Sequence, residues 1–415
     1  MDHSLTMRYL HVSHQYPPAI GGSEKYIADL SEALAARGHT VDVYTSRAVD
    51  FHTWANVLPP FERLNGVNIH RFWSMYRRGS VWRMLHFGLR HYWENRSPIY
   101  EPLIFLGGGP ISPGMFTQML RNGLSYDLIH LNCLVYSHVA YGYWAAKKLG
   151  LPIVVTPHLH PEQEVTYNIG YQRTVLQGAD HILADTQAEH DFLLNMDLAL
   201  KPERISTIGV GLDPAHYPQM PQPEARQRLN LPTTGTMLLF LGRKSKYKGL
   251  ELVLTAFQSL QAEFSDLFLV AAGPETEDSQ RLWQQHGNLA SLYVFDKVTD
   301  TEKLQLLQAC DMLVLPSVGE AFGIVYLEAW LLGKPVIGAD ITAVRHVIAH
   351  GVDGFLVEPG SASAVQAHIK TLLQNPVLRQ EMGQHGQEKV LAQYTISQMT
   401  DRLEAAYAQT LAARG

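Results

Sequence analysis

Two glutamates, Glu320 and Glu328, frame the stretch of this chain best equipped for chemistry, DMLVLPSVGEAFGIVYLEAWLLGKPVIGA at residues 311–339. The apolar run Met312–Leu315 ends at Pro316 and reads as a buried parallel strand. Ser317–Glu320 reads as a loop, Phe322–Leu332 repeats apolar residues at helical spacing until Gly333, and Val336–Ile337 opens another strand. Such a strand–loop–helix–strand unit takes its ligand at the carboxyl end of the strand. The first N–H groups of the helix, on Phe322, Gly323 and Ile324, lack partners within it and favour an anion together with the helix dipole. At Gly323 no Cβ stands between a phosphate and the backbone. With Phe322–Glu328 helical, the second carboxylate stands roughly 9 Å along the axis, the reach from a diphosphate to a ribose. A carboxylate on each side of an anion site suits a nucleotide sugar, which has hydroxyls at both ends and phosphates between. The spacing alone is weak, because two glutamates on one helix face are ordinarily just solvated. The surrounding order of strand, P-S, E-x-F-G, L-E-A and G-x-P-V carries the reading.

Other residues able to do chemistry also fall at strand ends. Met237–Leu241 reads as a strand leading into GRKSKYKGLELVLTAF, so Arg243 and Lys248 stand just before a helix with the apolar face Leu250, Val253, Leu254 and Phe257. Cations there suit a diphosphate. A single lysine at such a place is more often solvated, and Lys244 and Lys246 are expected to face solvent. Arg8–Ser13 reads as a strand that leads through HQYPPAIGGSEKY into an amphipathic helix. Gly21 and Gly22 there are either a phosphate cradle or an ordinary strand–helix turn. Ile153–Thr156 ends in TPHLH, placing His158 just past a strand's carboxyl end; a histidine there is more often structural than catalytic, and His160 has no further support. Thr186 is expected to cap a helix.

These residues need a scaffold, and the whole chain reads as one. At 415 residues and 46% hydrophobic, it is long enough for two domains. Short apolar strands alternate with helical patterns through 127–208 and again through 237–357, which is a doubly wound α/β pattern in both halves. The boundary is expected at Gly209–Asp213, followed by a Pro-rich connection over 214–235. The domains are read as 1–211 and 212–393, with 394–415 a C-terminal segment whose helix, Ile396–Ala412, packs back on the first domain. The net charge of −6 argues against a nucleic-acid partner; the deficit lies wholly after residue 190, with 18 basic against 24 acidic side chains. Cys133 and Cys310 adjoin apolar strands and read as buried reduced thiols of a cytoplasmic protein. MDHSLTMRYLHVS has no basic start or apolar core of a signal peptide, and no apolar run reaches membrane-spanning length. Residues 66–126 are the least regular, with Gly107–Gly114 a turn-rich loop. Within them Arg71–Arg96 holds six arginines against one acid, Glu94, together with Trp73, Trp82 and Trp93. That mix is a candidate peripheral membrane contact or acceptor platform, weighed evenly against an insert whose aromatics merely pack.

The stretch around Glu320 and Glu328 resembles the E-x7-E motif of the retaining glycosyltransferases of family 4. Their fold is GT-B: two doubly wound Rossmann-like α/β domains facing a central cleft. The resemblance covers Gly21 to about Gly383 and is densest from Gly242 to Gly354. It implies that Glu320 contacts the donor sugar and Glu328 the ribose. G-R-x4-K-G resembles the family's diphosphate clamp, which carries Arg243 and Lys248 into that role, and G-G-x-E implies Gly21 and Gly22 as donor-site residues. V-V-T-P-H resembles T-x-H, whose His faces the transferred sugar, so His158 joins Glu320, Arg243 and Lys248 as a catalytic candidate. His130 matches a recurring strand end and is expected to line the cleft. Val298 is a candidate base contact, beside the donor-binding candidates Phe322, Gly323, Ile324 and Glu328.

The implied function is transfer of a sugar from a nucleotide-diphosphate sugar, a UDP- or GDP-sugar, to a hydroxyl of a saccharide or lipid acceptor with retention. Closure of the two domains is implied to expel water and bring His158 and Gly22 to the donor. No D-x-D motif is present and no metal or other cofactor is expected, the two cations and the helix N-terminus doing a metal's work. The expected location is cytoplasmic, with the membrane surface open through 71–96. The chain departs from the family pattern twice. Gly209–Asp213 reads G-V-G-L-D where N-G-V-D is usual, and His346 stands where a Glu is usual. A GT-B sugar epimerase or phosphorylase, and a non-catalytic nucleotide-sugar-binding protein, remain as alternatives. A NAD-dependent dehydrogenase is disfavoured, because no G-x-G-x-x-G follows a strand.

Overall fold

The computed structural model describes residues 6–159, 164–286, 289, 291–320 and 322–414. The chain forms two compact units, Met1–Gly211 with Ile396–Gly415, and Leu212–Thr395.

The first unit is built on eight strands: β1 (Arg8–Val12), β2 (Thr40–Ser46), β3 (Phe61–Leu64), β4 (Val67–Phe72), β5 (Leu128–Asn132), β6 (Ile153–Thr156), β7 (His181–Ala184) and β8 (Ile205–Thr207). Their order in the sheet is β3-β4-β2-β1-β5-β6-β7-β8. All neighbours pair in parallel except β3 with β4. Runs such as Ile153-Val154-Val155-Thr156 are apolar without alternation because helices bury both faces of the sheet. Strand order reverses between β1 and β5, so the loops that follow those strands open at a topological switch point.

The helix Ile396–Ala412 completes this unit. It buries Met399, Leu403, Ala406 and Tyr407 against β1, β2 and the helix Gly22–Ala36. Tyr407 also closes a polar chain inside the core. Its hydroxyl lies 3.0 Å from His11 Nε2 and 2.7 Å from His130 Nδ1. His11 Nδ1 meets Ser31 Oγ, which itself donates to Ile27 C=O, and His130 Nε2 meets Thr156 Oγ1. One assignment satisfies every bond: Nδ1–H on both neutral imidazoles, with Tyr407 donating to His11 and accepting from His130. Burial pushes His11 down to about 3 and His130 well below its ordinary range, in keeping with neutral rings. His130 is therefore a fully buried core residue and does not line a cleft.

The segment expected to be irregular is largely helical, with helices Gly79–Asn95, Glu101–Gly108 and Pro113–Asn122. The first of these fully buries only Gly88 and Tyr92, and its apolar stripe of Trp82, Leu85, Leu89 and Tyr92 is interleaved with exposed Phe87, Trp93 and arginines. The expected loop at 107–114 shrinks to the few residues after Gly108, because the two glycines close a helix. Both cysteines are buried and free, as expected.

The second unit holds β9 (Thr236–Leu241), β10 (Leu267–Ala272), β11 (Leu292–Phe295), β12 (Met312–Leu315), β13 (Val336–Ala339) and β14 (Gly354–Val357). The order is β11-β10-β9-β12-β13-β14, all parallel. The switch point lies between β9 and β12, the strands that carry Arg243 and Lys248 on one following loop and Glu320 on the other. The Pro-rich connection contains a short 3-10 turn, Pro214–His216, and one α-helix, Gln222–Arg228, anchored by Arg226 on Asp311 and the Ala309 C=O. Among the described residues no helix is long and apolar enough to cross a membrane.

Candidate functional site

In the second unit the two loops at the switch point are packed onto each other. Val318 N–H donates to Tyr247 C=O, and a Cβ on Gly249 (φ 80°) would meet Pro316 C=O at 2.6 Å. Only glycine fits there. This contact delivers Lys248 to Glu320, with Nζ 2.5 Å from Oε1 and both side chains mostly buried. Arg243 on the same loop is exposed and has no ion pair among the described residues. The helix after β12 starts at Ile324, not at Phe322, because Gly323 takes a left-handed conformation (φ 81°) as its N-cap. Gly323 thus has an internal reason to be glycine: a Cβ there would strike the Tyr326 ring. The N–H groups of Phe322, Gly323 and Ile324 donate to nothing among the described residues, so the helix start beside Lys248 and Glu320 has donors unspent on the fold.

The shorter helix puts Glu328 one turn in, roughly 6 Å along the axis rather than 9 Å. Glu328 is buried, and both of its bonds fall on one oxygen: Lys303 Nζ donates to Oε1 at 2.7 Å and Tyr217 Oη at 2.8 Å. Oε2 has no partner among the described residues and is left to accept. Neither Lys303 nor Tyr217 was legible as a site residue, since no local pattern links them to a glutamate far along the chain. Lys244 corrects an expectation. It is fully buried, its Nζ donating to Glu275 and to Phe295 C=O beneath the Trp283 ring, because the loop after β10 brings a carboxylate to it. Val298 is half-buried just before Thr299, which caps the helix Asp300–Ala309. His346 is exposed, and its side chain has no hydrogen bond or ion pair among the described residues.

In the first unit the switch point brings together Gly21, Gly22 and His158 through Asn132, at the end of β5. Asn132 Nδ2 donates to Ser23 C=O at 3.3 Å, and its Oδ1 accepts from His158 Nε2 at 2.8 Å. His158 Nδ1 lies 2.5 Å from Asp185 Oδ2. Both ring nitrogens thus face acceptors, an arrangement that favours the imidazolium. Burial by itself lowers the His158 pKa, but the charge and hydrogen bond of Asp185 outweigh it and the net shift is upward. His158 also sits at φ 55°, a strained conformation for a residue with a Cβ. Asp185 is backed by the buried Glu189, which accepts from the Leu159 and Asp185 N–H groups; burial, then Asp185, raises its carboxyl. Thr186 caps the helix Gln187–Asn195 as expected, accepting from Glu189 N–H. His160 lies outside the described residues.

The two glycines of this unit differ. A Cβ on Gly21 would collide with the Glu24 carboxylate, which folds back over the helix start, accepting from His14 Nε2 at 3.0 Å and from Ser23 Oγ at 3.0 Å. Burial raises the Glu24 pKa, but these hydrogen bonds and the His14 contact outweigh it and bring it to about 2. This helix N-terminus already holds an anion, so the phosphate-cradle reading of the pair weakens at Gly21. A Cβ on Gly22 would meet nothing within 4 Å, so the fold itself does not ask for glycine there.

Two parallel-sheet Rossmann-like units, each with charged residues gathered at its switch point, define the GT-B class of glycosyltransferase fold. Residues 21–211 match the family model described as glycosyl transferase 4-like domain, and residues 221–389 the one described as glycosyl transferases group 1. Together the matches take in most of the chain, which belongs to these glycosyltransferase families. It is 27% identical over 378 residues to the D-inositol 3-phosphate glycosyltransferase of Thermobispora bispora, covering 86% of this chain and 82% of that one. It is 26% identical to the phosphatidyl-myo-inositol mannosyltransferase of Mycobacterium leprae, covering 95% and 94%. Among solved structures, Anabaena Alr3699/HepE in complex with UDP and glucose superposes with a TM-score of 0.70 at 18% identity, covering 97% of this chain and 99% of that one.

Proposed function

We propose that this glycosyltransferase moves a sugar from a nucleoside-diphosphate sugar to a hydroxyl acceptor, with retention and without a metal. One observation carries the donor reading. At one switch point a helix N-terminus whose first N–H groups have no partner among the described residues lies beside the Lys248–Glu320 pair, one turn from a buried glutamate whose second oxygen is unused. In this reading the N–H groups of Phe322, Gly323 and Ile324 and the side chains of Arg243 and Lys248 bind the diphosphate. They neutralise the charge that grows on it as the glycosidic bond breaks. Glu328 Oε2 accepts from the ribose hydroxyls, Glu320 orients the donor sugar, and Val298 borders the base. The UDP bound to the structural neighbour from Anabaena makes UDP the first nucleotide to test.

Gly21, Gly22 and His158 are assigned on the resemblance. As an imidazolium held at both nitrogens, His158 acts as a fixed positive charge and not as a proton acceptor. The acceptor is proposed to be a saccharide or lipid hydroxyl; two relatives bear the names of inositol-phosphate and phosphatidylinositol enzymes, which favours an acceptor carrying a phosphate. The exposed Trp73, Phe87 and Trp93 with the exposed arginines of 78–96 support peripheral membrane contact. The test is a panel of nucleotide sugars assayed for binding and slow donor hydrolysis. Hydrolysis of one donor, with release of its nucleoside diphosphate, is expected. Binding without turnover under any acceptor would leave a nucleotide-sugar-binding protein, and no binding at all would sink the donor site.

A further inference from the structure

In the first unit, against the helix Gly79–Asn95, lies a half-enclosed cavity of about 200 Å³. Its wall is largely apolar, with Leu85 and Leu89 from that helix facing Ile104, Val135 and Ile169. Arg77 also lines it, and Arg77 is 4% exposed. One arm of the guanidinium donates to Gly108 C=O, and its flanks rest on Trp82 at 4.4 Å and Trp54 at 5.1 Å. Its Nε has no hydrogen-bond partner, and no carboxylate pairs with it among the described residues. Burial draws its pKa down to about 10. Aromatic faces offset only part of what a buried cation loses with its water. Among the described residues, the apolar cavity thus has on its wall a buried cation with no ion pair, on which Asp50 acts only through its charge at a distance.

The position of the cavity says which ligand it concerns. Tyr136 lines it and stacks on His14, with ring centroids 4.0 Å apart and planes 17° apart. His14 holds Glu24 beside Gly21 and Gly22. The cavity thus adjoins the side of this unit to which the resemblance gives the reaction. A cavity of 150 Å³ holds a benzene ring, so this one takes a ring or a short run of an alkyl chain.

We propose that the cavity is an acceptor site and that the acceptor is an amphiphilic anion, its phosphate or carboxylate on Arg77 and its apolar part against Leu85, Leu89 and Ile104. This rests on the glycosyltransferase reading above and names the acceptor's class. The test uses the full chain and the intrinsic fluorescence of the tryptophans that bracket Arg77. Octyl phosphate below its micelle concentration is titrated against octanol and against inorganic phosphate. It is expected to bind at least tenfold more tightly than either. Arg77→Met should remove the advantage over octanol, and Leu89→Phe should weaken both octyl ligands while Arg77 stays in place. Should Arg77→Met fail to fold, Leu89→Phe carries the test alone. Equal binding of octyl phosphate and octanol to the unaltered protein overturns the proposal. So does octyl phosphate binding that Leu89→Phe leaves unchanged, or adsorption to anionic vesicles with no binding of monomeric octyl phosphate. UDP and GDP binding on the same preparation separates the two readings. Nucleotide binding without octyl phosphate binding sinks only the acceptor site, and octyl phosphate binding without any nucleotide sinks the donor reading.

Discussion

Replacing Lys303 with Met should weaken nucleoside-diphosphate affinity through a residue that never touches the phosphates. Lys303 Nζ and Tyr217 Oη both load Glu328 Oε1 and so aim Oε2 at the proposed ribose position. A hydrogen bond to a charged group contributes about 1.5–3 kcal/mol. The Lys303 side chain is 32% exposed, so the lower part of that range applies. About 1.4–2 kcal/mol corresponds to a tenfold to thirtyfold rise in Kd. Tyr217→Phe removes a neutral donor and should cost less, about threefold to tenfold. The assay is calorimetric titration with UDP or GDP, whichever binds, and with its 2′-deoxy form. If Glu328 reads the ribose, removing the 2′-hydroxyl and removing Lys303 act on one contact and their effects fall short of additive. Unchanged affinity in Lys303→Met, or strict additivity with the 2′-deoxy ligand, refutes the reasoning.

Other outcomes follow from the same geometry. Lys248→Ala should weaken nucleoside-diphosphate binding more than tenfold, because it removes a phosphate cation and leaves Glu320 unpaired beside the anion; unchanged affinity in the same titration would take Lys248 out of the clamp. Gly21→Ala should lower the melting temperature, since its Cβ displaces the Glu24 carboxylate, whereas Gly22→Ala should leave melting unchanged and reduce donor turnover. Equal melting of the two variants contradicts the assignment. The folded pKa of His158 lies above its ordinary 6.5, so its pairing with Asp185 contributes stability in full below pH 6.5 and loses it as pH rises through the folded value. The stability gap between the unaltered protein and Asp185→Asn should therefore narrow as pH rises, measured by urea titration across that window; a gap that widens defeats the imidazolium reading. The Glu24 carboxyl lies at about 2 against an ordinary 4.5, so its contribution is present above pH 4.5 and lost as pH falls towards 2. Glu24→Gln should flatten the acid limb of the stability curve; an unchanged limb would place the acid sensitivity elsewhere.

The strands were legible because parallel strands buried on both faces read as short apolar runs between glycines and prolines, as Met312–Leu315 and Ile153–Thr156 do. Positions at strand ends, such as Arg243, Glu320 and His158, followed directly. What stayed hidden depends on distant partners. Lys244 resembles its solvated neighbour Lys246 until Glu275 is folded against it. His130 looks like a strand-end ligand until Tyr407, at the other end of the chain, is packed onto it. The helix Gly79–Asn95 hid because its one stripe, Trp82, Leu85, Leu89 and Tyr92, is interleaved with exposed Phe87, Trp93 and arginines, so its aromatic and basic content advertised a surface rather than an element. The start of the helix at Ile324 turned on a single left-handed glycine, a backbone state that residue types permit but do not dictate.

The last helix sets the order in which the protein can be finished. Residues 1–211 leave the ribosome first, yet the hydroxyl that joins His11 to His130 belongs to Tyr407. Until that tyrosine emerges, two buried imidazoles lack their shared partner and the apolar face of the helix Gly22–Ala36 lacks its cover. Leu212–Thr395, continuous in the chain, faces no such delay. The second-made unit can therefore close without waiting for the last helix, whereas the first-made one cannot be completed until that helix docks.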